Sequence, residues 1–568
     1  MSSARKTATK KINRKSGQAL ILAYMTVVFL AILSTPLFKK VISEKTALQR
    51  QRLETEAFNL AEGATEDAIN RFINAIANFQ SAPNVARYPD TGFITTVYTN
   101  SNAFPQGAQV NSYLASAGNS FNTTDNDNTP IIVKPYIVIS TCQHPTNNNI
   151  AITVNQTILV KLTYAFQYAV FYNDDLELFP GKLMTFTGRI FSNKDIYLGS
   201  DGSTLTINSE YLRTAGNIYN FRKDGSNKAG GTVNIKVAGT SKYLDMHNPP
   251  VPYPAPLDST DPNWIADSQK AWKGTVQTSA NDTTKKAVPV VGSIQPGGYY
   301  NNNADIVVIN ASITQGGRTL TQAPRPQDND PRRYDLPAGT ITTTTGNTFY
   351  NAREDSYVQM TTIDLSKLAG YASPTDQSPT FSSHLVSSNP QGTMIYATVN
   401  NAAGGQEPGV RLLNGSQIYS PGLTVVTNDP LYIQGNYNTT NKPSAVIGDS
   451  VNILSNQWQD GKNNTPTSSV TVNTAFIAGV DTTTSGNYNG GMENYPRLLE
   501  NWSNVDLNIT GSFVELWKTQ IAHGAWNTTG VYSPPKNRNW SYNTNFTSGK
   551  LPPFTPWAVE ADKTAWWK

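Results

Sequence analysis

The most strongly apolar part of the chain lies near its N-terminus. Residues 19–38 carry no charged side chain and have the sequence ALILAYMTVVFLAILSTPLF. A helix of this length extends about 30 Å, the thickness of a bilayer's hydrocarbon core. Pro36 lacks a backbone N–H and is expected to kink this helix near the membrane boundary. The run predicts a membrane anchor that contains Ala19, Leu20, Ile21, Leu22, Val27, Val28, Phe29, Leu30, Ile32, Leu33 and Pro36.

The apolar run fits either a retained anchor or a cleaved secretory signal peptide. The apolar part of a signal peptide spans only about 7–15 residues and ends in a small-residue cleavage site. Here the run is longer and ends at Phe38-Lys39-Lys40, which favours the anchor. Basic residues without any acid precede the run, and they predict a cytoplasmic N-terminus and an extracytoplasmic body. These basic residues are Arg5, Lys6, Lys10, Lys11, Arg14 and Lys15.

The helical pattern continues beyond the apolar run. Apolar side chains recur there every three or four positions, as on one face of an amphipathic helix. We expect one helix over residues 18–80, with its first half in lipid and its second half packed against protein. The predicted packing positions are Leu53, Ala57, Leu60, Ala61, Ala64, Ala68, Phe72 and Ile76.

The rest of the chain has the patterns of β-strands. Residues 81–175 contain IIVKPYIVIS and AITVNQTILVKLTYAFQYAVF, in which polar residues alternate with β-branched and aromatic ones, and they predict a sheet behind the helix. From residue 176 short apolar triplets alternate with turn residues. These triplets fit a β-solenoid or a meandering sandwich, and the close spacing favours the solenoid although no fixed repeat length emerges.

We therefore predict a mainly β protein with one long N-terminal α-helix. The predicted divisions are a basic leader (1–17), the anchor and amphipathic helix (18–80), a strand-rich region (81–175) and two β-rich domains (176–410 and 411–568). A Pro-rich linker is expected at 249–256 and a short helix within 258–272. Polar loops are expected at 340–348 and 373–383.

Composition excludes several classes of function. The formal net charge is +4, and much of it comes from the leader, so we predict no nucleic-acid partner. One cysteine, Cys142, permits neither an intramolecular disulfide nor a thiolate zinc cluster. The four histidines are far apart in the sequence, and nucleotide-binding and nucleophile motifs are absent. We expect no cofactor, no metal and no catalytic residue.

Two sequence features near the C-terminus keep alternatives open. Glu493 and Glu500 could be the paired acids of a glycosidase, but on a short helix Arg497 would pair with both of them, and this structural interpretation is favoured. The aromatic C-terminal segment is expected to form a strand-poor cap. Trp566 and Trp567 are the residues in it that would be exposed, where they could stack on sugar rings or anchor a partner.

The N-terminus resembles a known family. The leader ends in Ser16-Gly17, and the apolar run leads to Ala57-Phe58-Asn59-Leu60-Ala61-Glu62-Gly63-Ala64. This arrangement is similar to that of PilX-type minor pilins and related pseudopilins. Segments 429–438 and 489–497 are similar to parts of large PilX-like surface proteins.

The resemblance implies that a prepilin peptidase cuts between Gly17 and Gln18. Leu22 then takes the fifth mature position, where major pilins have a glutamate, and the large pseudopilin of type II secretion also lacks that glutamate. The implied function is a low-copy or tip-located, non-enzymatic subunit of a type IV pilus or related filament. It would be held in the inner membrane, with other pilin-like subunits and prepilin peptidase as partners.

Two alternatives to the pilin-like function remain from the sequence. The first is an uncut, membrane-anchored surface protein that binds a glycan or an envelope partner. The second is an anchored glycan hydrolase that uses Glu493 or Glu500.

Overall fold

The computed structural model describes residues 14–78, 93–99, 107–125, 128–226, 230–323, 336–344, 346–369, 391–418, 420–462, 466–484, 488–526 and 532–567. In these ranges the protein is mainly β-strand and has one long N-terminal α-helix, which confirms the predicted fold class. Most of the leader, residues 1–13, and the polar segment 373–383 lie outside the described residues.

The first helix, α1, extends over Arg14–Ala77. It is continuous through Pro36, so the proline does not end it. A helix of 64 residues is about 95 Å long at the standard rise. Three shorter α-helices follow within the described residues, and the first of them lies in the segment 258–272 where a short helix was predicted: α2 (Trp264–Trp272), α3 (Tyr299–Asn303) and α4 (Leu365–Ala369).

An antiparallel sheet packs against the second half of α1. Its first strands are β1 (Phe93–Tyr98), β2 (Ala108–Ser116), β3 (Phe121–Thr124), β4 (Pro130–His144) and β5 (Asn147–Tyr164). Alternate residues of β4 and β5 are buried, as the period-2 pattern predicts. Their buried faces form, with α1, the core of this part of the protein.

After β5 the chain coils into a parallel β-helix. Val170 pairs with Ile190 on the next turn of the coil, and Ile190 pairs with Leu212 on the turn after that. The strands of this first run are β6 (Tyr168–Tyr172), β7 (Leu176–Leu178), β8 (Met184–Thr187), β9 (Arg189–Ser192), β10 (Ile196–Leu198), β11 (Thr204–Asn208), β12 (Leu212–Thr214), β13 (Ile218–Tyr219), β14 (Thr232–Lys236), β15 (Tyr243–Asp245) and β16 (Val276–Gln277).

A second run of coils follows a connection over residues 278–305. The remaining strands are β17 (Ile306–Ile309), β18 (Ser312–Gln315), β19 (Arg318–Leu320), β20 (Gln322–Ala323), β21 (Leu336–Pro337), β22 (Ile341–Thr343), β23 (Phe349–Asn351), β24 (Ser356–Asp364), β25 (Thr393–Thr398), β26 (Gln406–Leu413), β27 (Leu423–Val426), β28 (Leu431–Gln434), β29 (Ser444–Gly448), β30 (Val451–Leu454), β31 (Val470–Ala478), β32 (Arg497–Leu498), β33 (Leu507–Glu515), β34 (Arg538–Tyr542) and β35 (Trp557–Trp567). Parallel pairs stack β25, β27, β29, β31 and β33 on one side of this run and β24, β26, β28, β30 and β32 on another.

The two runs of coils form one β-helix. One sheet has the order β16-β12-β9-β6-β33-β31-β29-β27-β25-β17-β18-β19, so the last coil of the second run pairs with the first coil of the first run. Stacked parallel strands are the solenoid arrangement rather than the sandwich. The predicted divisions at 175 and 410 differ from this organisation, because β6 already belongs to the β-helix and one core crosses residue 410. Short apolar strands look alike on both sides of these divisions.

Two further expectations were wrong. The segment 340–348 is not only a loop, because Ile341–Thr343 forms β22 and pairs with Thr361–Ile363 of β24. Its threonines are β-branched and suit a strand despite their polarity. The C-terminal segment is not a strand-poor cap. It ends in β35, which pairs with β5 and completes the first sheet in the order β1-β2-β4-β5-β35, with β3 paired to β4.

Candidate membrane-anchoring and assembly segment

The N-terminal half of α1 stands clear of the rest of the protein. Within the described residues α1 is the helix that is long and apolar enough to cross a membrane, and its apolar window is not buried. A core helix of a soluble protein would bury such a window. Every predicted anchor residue from Ala19 to Pro36 is exposed, so this half of the helix presents its apolar side chains on all sides.

The serine and threonine hydroxyl groups of the anchor are bonded within the helix. Thr26 Oγ1 donates to the carbonyl of Leu22 at 2.6 Å, and Ser34 and Thr35 both donate to the carbonyl of Ala31. Each of these three hydroxyls therefore has an acceptor without water. This removes the cost of placing an unbonded donor in hydrocarbon.

The predicted processing site lies at the start of this exposed helix. Gly17 and Gln18 are helical and exposed. A Cβ at Gly17 would meet nothing within 4 Å, so packing against the body does not account for a glycine here. Leu22, at the fifth position after Gly17, is 69% exposed. No acidic residue occurs before Glu44, so the exposed anchor carries no carboxylate.

The middle of α1, residues 39–52, forms a neck between the anchor and the body. Ion pairs at i, i+4 join Lys40 to Glu44, Arg50 to Glu54 and Arg52 to Glu56. Such exposed pairs stabilise a helix by only about 0.3–0.5 kcal/mol each. The apolar side chains of the neck, Val41, Ile42 and Leu48, are exposed.

The second half of α1 is docked on the sheet. Of the eight predicted packing residues, all except the half-buried Leu53 are buried. Four of them are alanines, and this small side chain lets the helix lie close to β4 and β5. Thr65 Oγ1 also lies 2.8 Å from Ser140 Oγ, which in turn lies 2.7 Å from Ser112 Oγ. This hydroxyl chain ties the helix to β4 and β2, and no sequence pattern indicated it.

The single glycine in this half of the helix has a packing role. Tyr98 donates its hydroxyl to the carbonyl of Leu60 at 2.7 Å. A Cβ at Gly63 would lie only 2.7 Å from that hydroxyl oxygen. Gly63 therefore leaves room for the edge strand β1 to contact the helix.

A buried histidine fixes the point where α1 meets β4. His144 is 2% exposed. Its Nδ1 accepts the backbone N–H of Thr146 at 3.2 Å, so Nε2 carries the proton and donates to Glu56 Oε2 at 3.0 Å. Hydrogen bonds from Arg52 and His144 lower the pKa of Glu56. The carboxylate thus stays ionised between the neck and the sheet.

A buried ion pair joins the 278–305 connection to β35. Lys286 bonds to Glu560, and next to them Ala287 and Val559 exchange backbone hydrogen bonds of 2.7 and 2.8 Å. Burial lowers the pKa of Lys286. The effects of Tyr168 and Glu560 together raise this pKa by more than burial lowers it, so the net shift is upward. Burial raises the pKa of Glu560 and Lys286 lowers it more. Both groups stay charged and fasten the β-helix to the first sheet.

The favoured interpretation, a short helix on which Arg497 pairs with both Glu493 and Glu500, was wrong. Residues 492–494 form a 3-10 turn and Arg497–Leu498 is the strand β32, so no helix places Arg497 between the two acids. Arg497 pairs with Glu354 instead. Glu493 accepts the backbone N–H of Phe179 at 3.2 Å.

Glu500 is likewise bonded inside the β-helix. It accepts the backbone N–H and the hydroxyl of Ser455 at 2.6 and 2.7 Å. Glu493 and Glu500 are 4% and 1% exposed. Each carboxylate therefore holds a neighbouring turn in place rather than lining an open cleft.

Several other buried carboxyl groups have a raised pKa. Burial raises the pKa of Glu407, Asp429 and Glu515 to about 7. Glu515 accepts the backbone N–H groups of Asn173 and Asp174, both at 2.9 Å. It thereby connects the end of β33 to the turn after β6, where the two runs of coils meet.

Replacing Glu515 by glutamine is expected to flatten the pH dependence of stability. The folded-state pKa is above the unfolded value of about 4.3, so this carboxyl stabilises the fold below that value and the contribution is lost as pH rises through 7. The difference between the unfolding free energies of the wild type and Glu515→Gln (wild type minus variant) should fall by about 2–3 kcal/mol as the pH rises from about 5 to 8. Urea unfolding of the detergent-solubilised chain measures this. Glu62→Gln, exposed on α1, is the control, and equal pH slopes for wild type and Glu515→Gln would contradict the expectation.

The described residues contain no group of three or more His, Cys, Asp or Glu side chains placed to hold a metal ion. Trp566 and Trp567, the predicted surface aromatics, lie at the end of β35 and are 60% and 46% exposed. The ring of Trp566 lies 5.9 Å from the ring of Phe58 on α1.

Comparison with protein-family models, curated proteins and solved structures found no match.

Proposed function

We propose that the chain is a minor pilin-like or pseudopilin-like structural subunit that is held in the inner membrane and assembled, in low copy or at the tip, into a type IV pilus or related filament. The observation that carries this proposal is the division of α1. Its first half is apolar and exposed on all sides, while its second half packs on an antiparallel sheet. A basic leader ending in Gly17 precedes the apolar run.

The arrangement suggests how assembly works. In the bilayer, lipid covers the exposed half of α1, and in a filament the helices of neighbouring subunits cover the same surface. The neck, residues 39–52, lies between this surface and the body. Extraction of the subunit from lipid thus requires neighbours that bury the same apolar side chains.

The β-helix is inserted into the sheet that α1 supports. The chain leaves this sheet at the end of β5 and returns to it at β35, and the rings of Tyr164 and Trp557 at these two points lie 4.9 Å apart. An insertion whose ends are adjacent can be added without rearranging the sheet. The β-helix is larger than the sheet and would crowd a repeated lattice. This favours a tip or low-copy position, with the β-helix as the displayed part.

The catalytic alternative has less support. The acids that suggested it, Glu493 and Glu500, are buried and accept hydrogen bonds from neighbouring chain segments. The proposal is therefore a non-enzymatic one. The uncut anchored surface protein remains the second candidate, because the same exposed helix would serve it.

Processing of the N-terminus distinguishes these two candidates. Co-expression with a prepilin peptidase is expected to give a mature chain that begins at Gln18, with an added methyl group, because the peptidase of this family cuts after the glycine. Gly17→Val should keep the leader, and Gly181→Val, at an exposed glycine of the body where a Cβ meets nothing within 4 Å, should be cut normally. Intact-mass and N-terminal peptide analysis of membrane-extracted protein measures the outcome. Retention of Arg5 to Gly17 by the wild type would overturn the pilin-like proposal and leave the uncut surface protein.

A further inference from the structure

Two tyrosines lie side by side on the outer surface at one end of the β-helix. Tyr350 of β23 is directly opposite Tyr357 of β24 in the antiparallel register, so both side chains are on the same face. Their ring centroids are 5.2 Å apart, edge to face at 65°. The two residues are 47% and 46% exposed, whereas Phe349 and Val358 on the opposite face of the same strands are buried.

Polar side chains continue this surface. Gln406 of β26 is the parallel partner of Tyr357, so it extends the same row across a third strand. Its Nε2 donates to Asn347 Oδ1, and its Oε1 is turned inward, buried and without a hydrogen-bond partner among the described residues. The Tyr350 hydroxyl donates to Asp355. We call Tyr350, Tyr357 and Gln406 the tyrosine row.

We propose that the tyrosine row binds a neutral polysaccharide. Half-exposed aromatic rings offer an apolar surface to the C–H faces of sugar rings, and phenol hydroxyl, amide and carboxylate groups exchange hydrogen bonds with sugar hydroxyls. The charged side chain bonded to the row is Asp355, an acid. It repels an acidic polymer and accepts hydrogen bonds from a neutral one, so charge favours the neutral class.

The tyrosine row suits an extended sugar chain better than the two exposed tryptophans do. Trp566 and Trp567 are consecutive residues of β35, and consecutive side chains of a strand point to opposite faces. They cannot form one platform, and Trp566 lies beside Phe58 of α1. Tyr350 and Tyr357 share a face on neighbouring strands, about 5 Å apart. The inference holds whether or not the leader is cleaved, so its failure and that of the pilin-like proposal are separate results.

Affinity electrophoresis of the detergent-solubilised full chain tests this proposal. The gels contain hydroxyethyl cellulose, mannan or soluble starch as neutral probes, or alginate as an acidic one. We expect at least one neutral polymer to retard the wild type and alginate to have no effect. Tyr350→Ala/Tyr357→Ala should raise the apparent Kd about tenfold or more, because both stacking surfaces are removed. Tyr243→Ala, which removes a tyrosine of β15 that is 42% exposed, should bind like the wild type.

Two further variants keep the test independent of folding. Tyr350→Phe/Tyr357→Phe retains the rings and should keep most of the affinity, and Gln406→Ala should weaken binding several-fold. Circular dichroism and thermal unfolding of each variant establish that it is folded. The proposal is overturned if no neutral polymer retards the wild type, if alginate alone does so, or if folded tyrosine-to-alanine and wild-type chains bind equally.

Discussion

Ending the chain at Thr555, before β35, is expected to prevent stable folding of the sheet that supports α1. The truncation removes Val559 and Ala558, which are 0% and 1% exposed. It also removes the strand that pairs with β5 from Tyr164 to Asn155 and leaves β5 paired only with β4. It also leaves Lys286 as a buried cation without Glu560. Loss of a buried ion partner alone costs about 3–5 kcal/mol, so the total exceeds the stability of many domains.

Limited proteolysis and circular dichroism of the detergent-solubilised protein measure this effect. Ending the chain at Lys563 is the matched control, because the described residues that it removes, 564–567, are exposed and it keeps Val559 and Glu560. Val559→Asp tests the same contact at full length and should also destabilise strongly. If the chain that ends at Thr555 is as protease-resistant as the control, β35 is not needed for the sheet.

Placing two arginines in the anchor is expected to release the protein from the membrane. Val28→Arg/Ile32→Arg puts two charges near the middle of the apolar run, where each costs about 2.5–3.5 kcal/mol on insertion. The two side chains are four residues apart on one helix face, so snorkelling to opposite surfaces is restricted. Fractionation by ultracentrifugation with carbonate washing measures how much chain remains in the membrane.

The control places the same substitutions in the neck of the same helix. Ile42→Arg/Leu48→Arg changes two residues that are also exposed, 63% and 67%, but lie beyond the apolar run. This variant should remain in the membrane fraction. Membrane retention of Val28→Arg/Ile32→Arg to the level of the control would mean that the run from Ala19 to Phe38 is not the anchor.

Local patterns account for much of what could be predicted. The packing residues of α1 were visible because apolar side chains recur at helical spacing, and seven of the eight are buried. The strands β4 and β5 were visible from their alternation. The repeat of the β-helix was hidden because its turns differ in length. Val170 and its partner Ile190 are separated by a shorter segment of chain than Val446 and its partner Phe476, so the sequence shows no fixed period.

The acids near the C-terminus show why candidate sites were harder to predict. Their spacing around Arg497 suggested a helix with i, i+3 and i, i+4 pairs. Instead Arg497 is in a strand and pairs with Glu354 of a distant turn. Tyr350 and Tyr357 carried no visible signal, because a cross-strand pair depends on the hairpin register. Asp355, a residue type that favours turns, lies between them in the sequence, but it does not fix which residues pair.

The sequence by itself determined the apolar first half of α1, its docked second half and the strand-rich character of the body, because each depends on the side chains of neighbouring residues along one element. Only the tertiary structure decided that β33 closes against β6, that β35 returns to β5, and that Lys286 meets Glu560. These contacts join segments far apart in the chain. Strand partners are chosen by backbone hydrogen bonds and shared core packing, which short apolar strands of similar composition satisfy in many combinations.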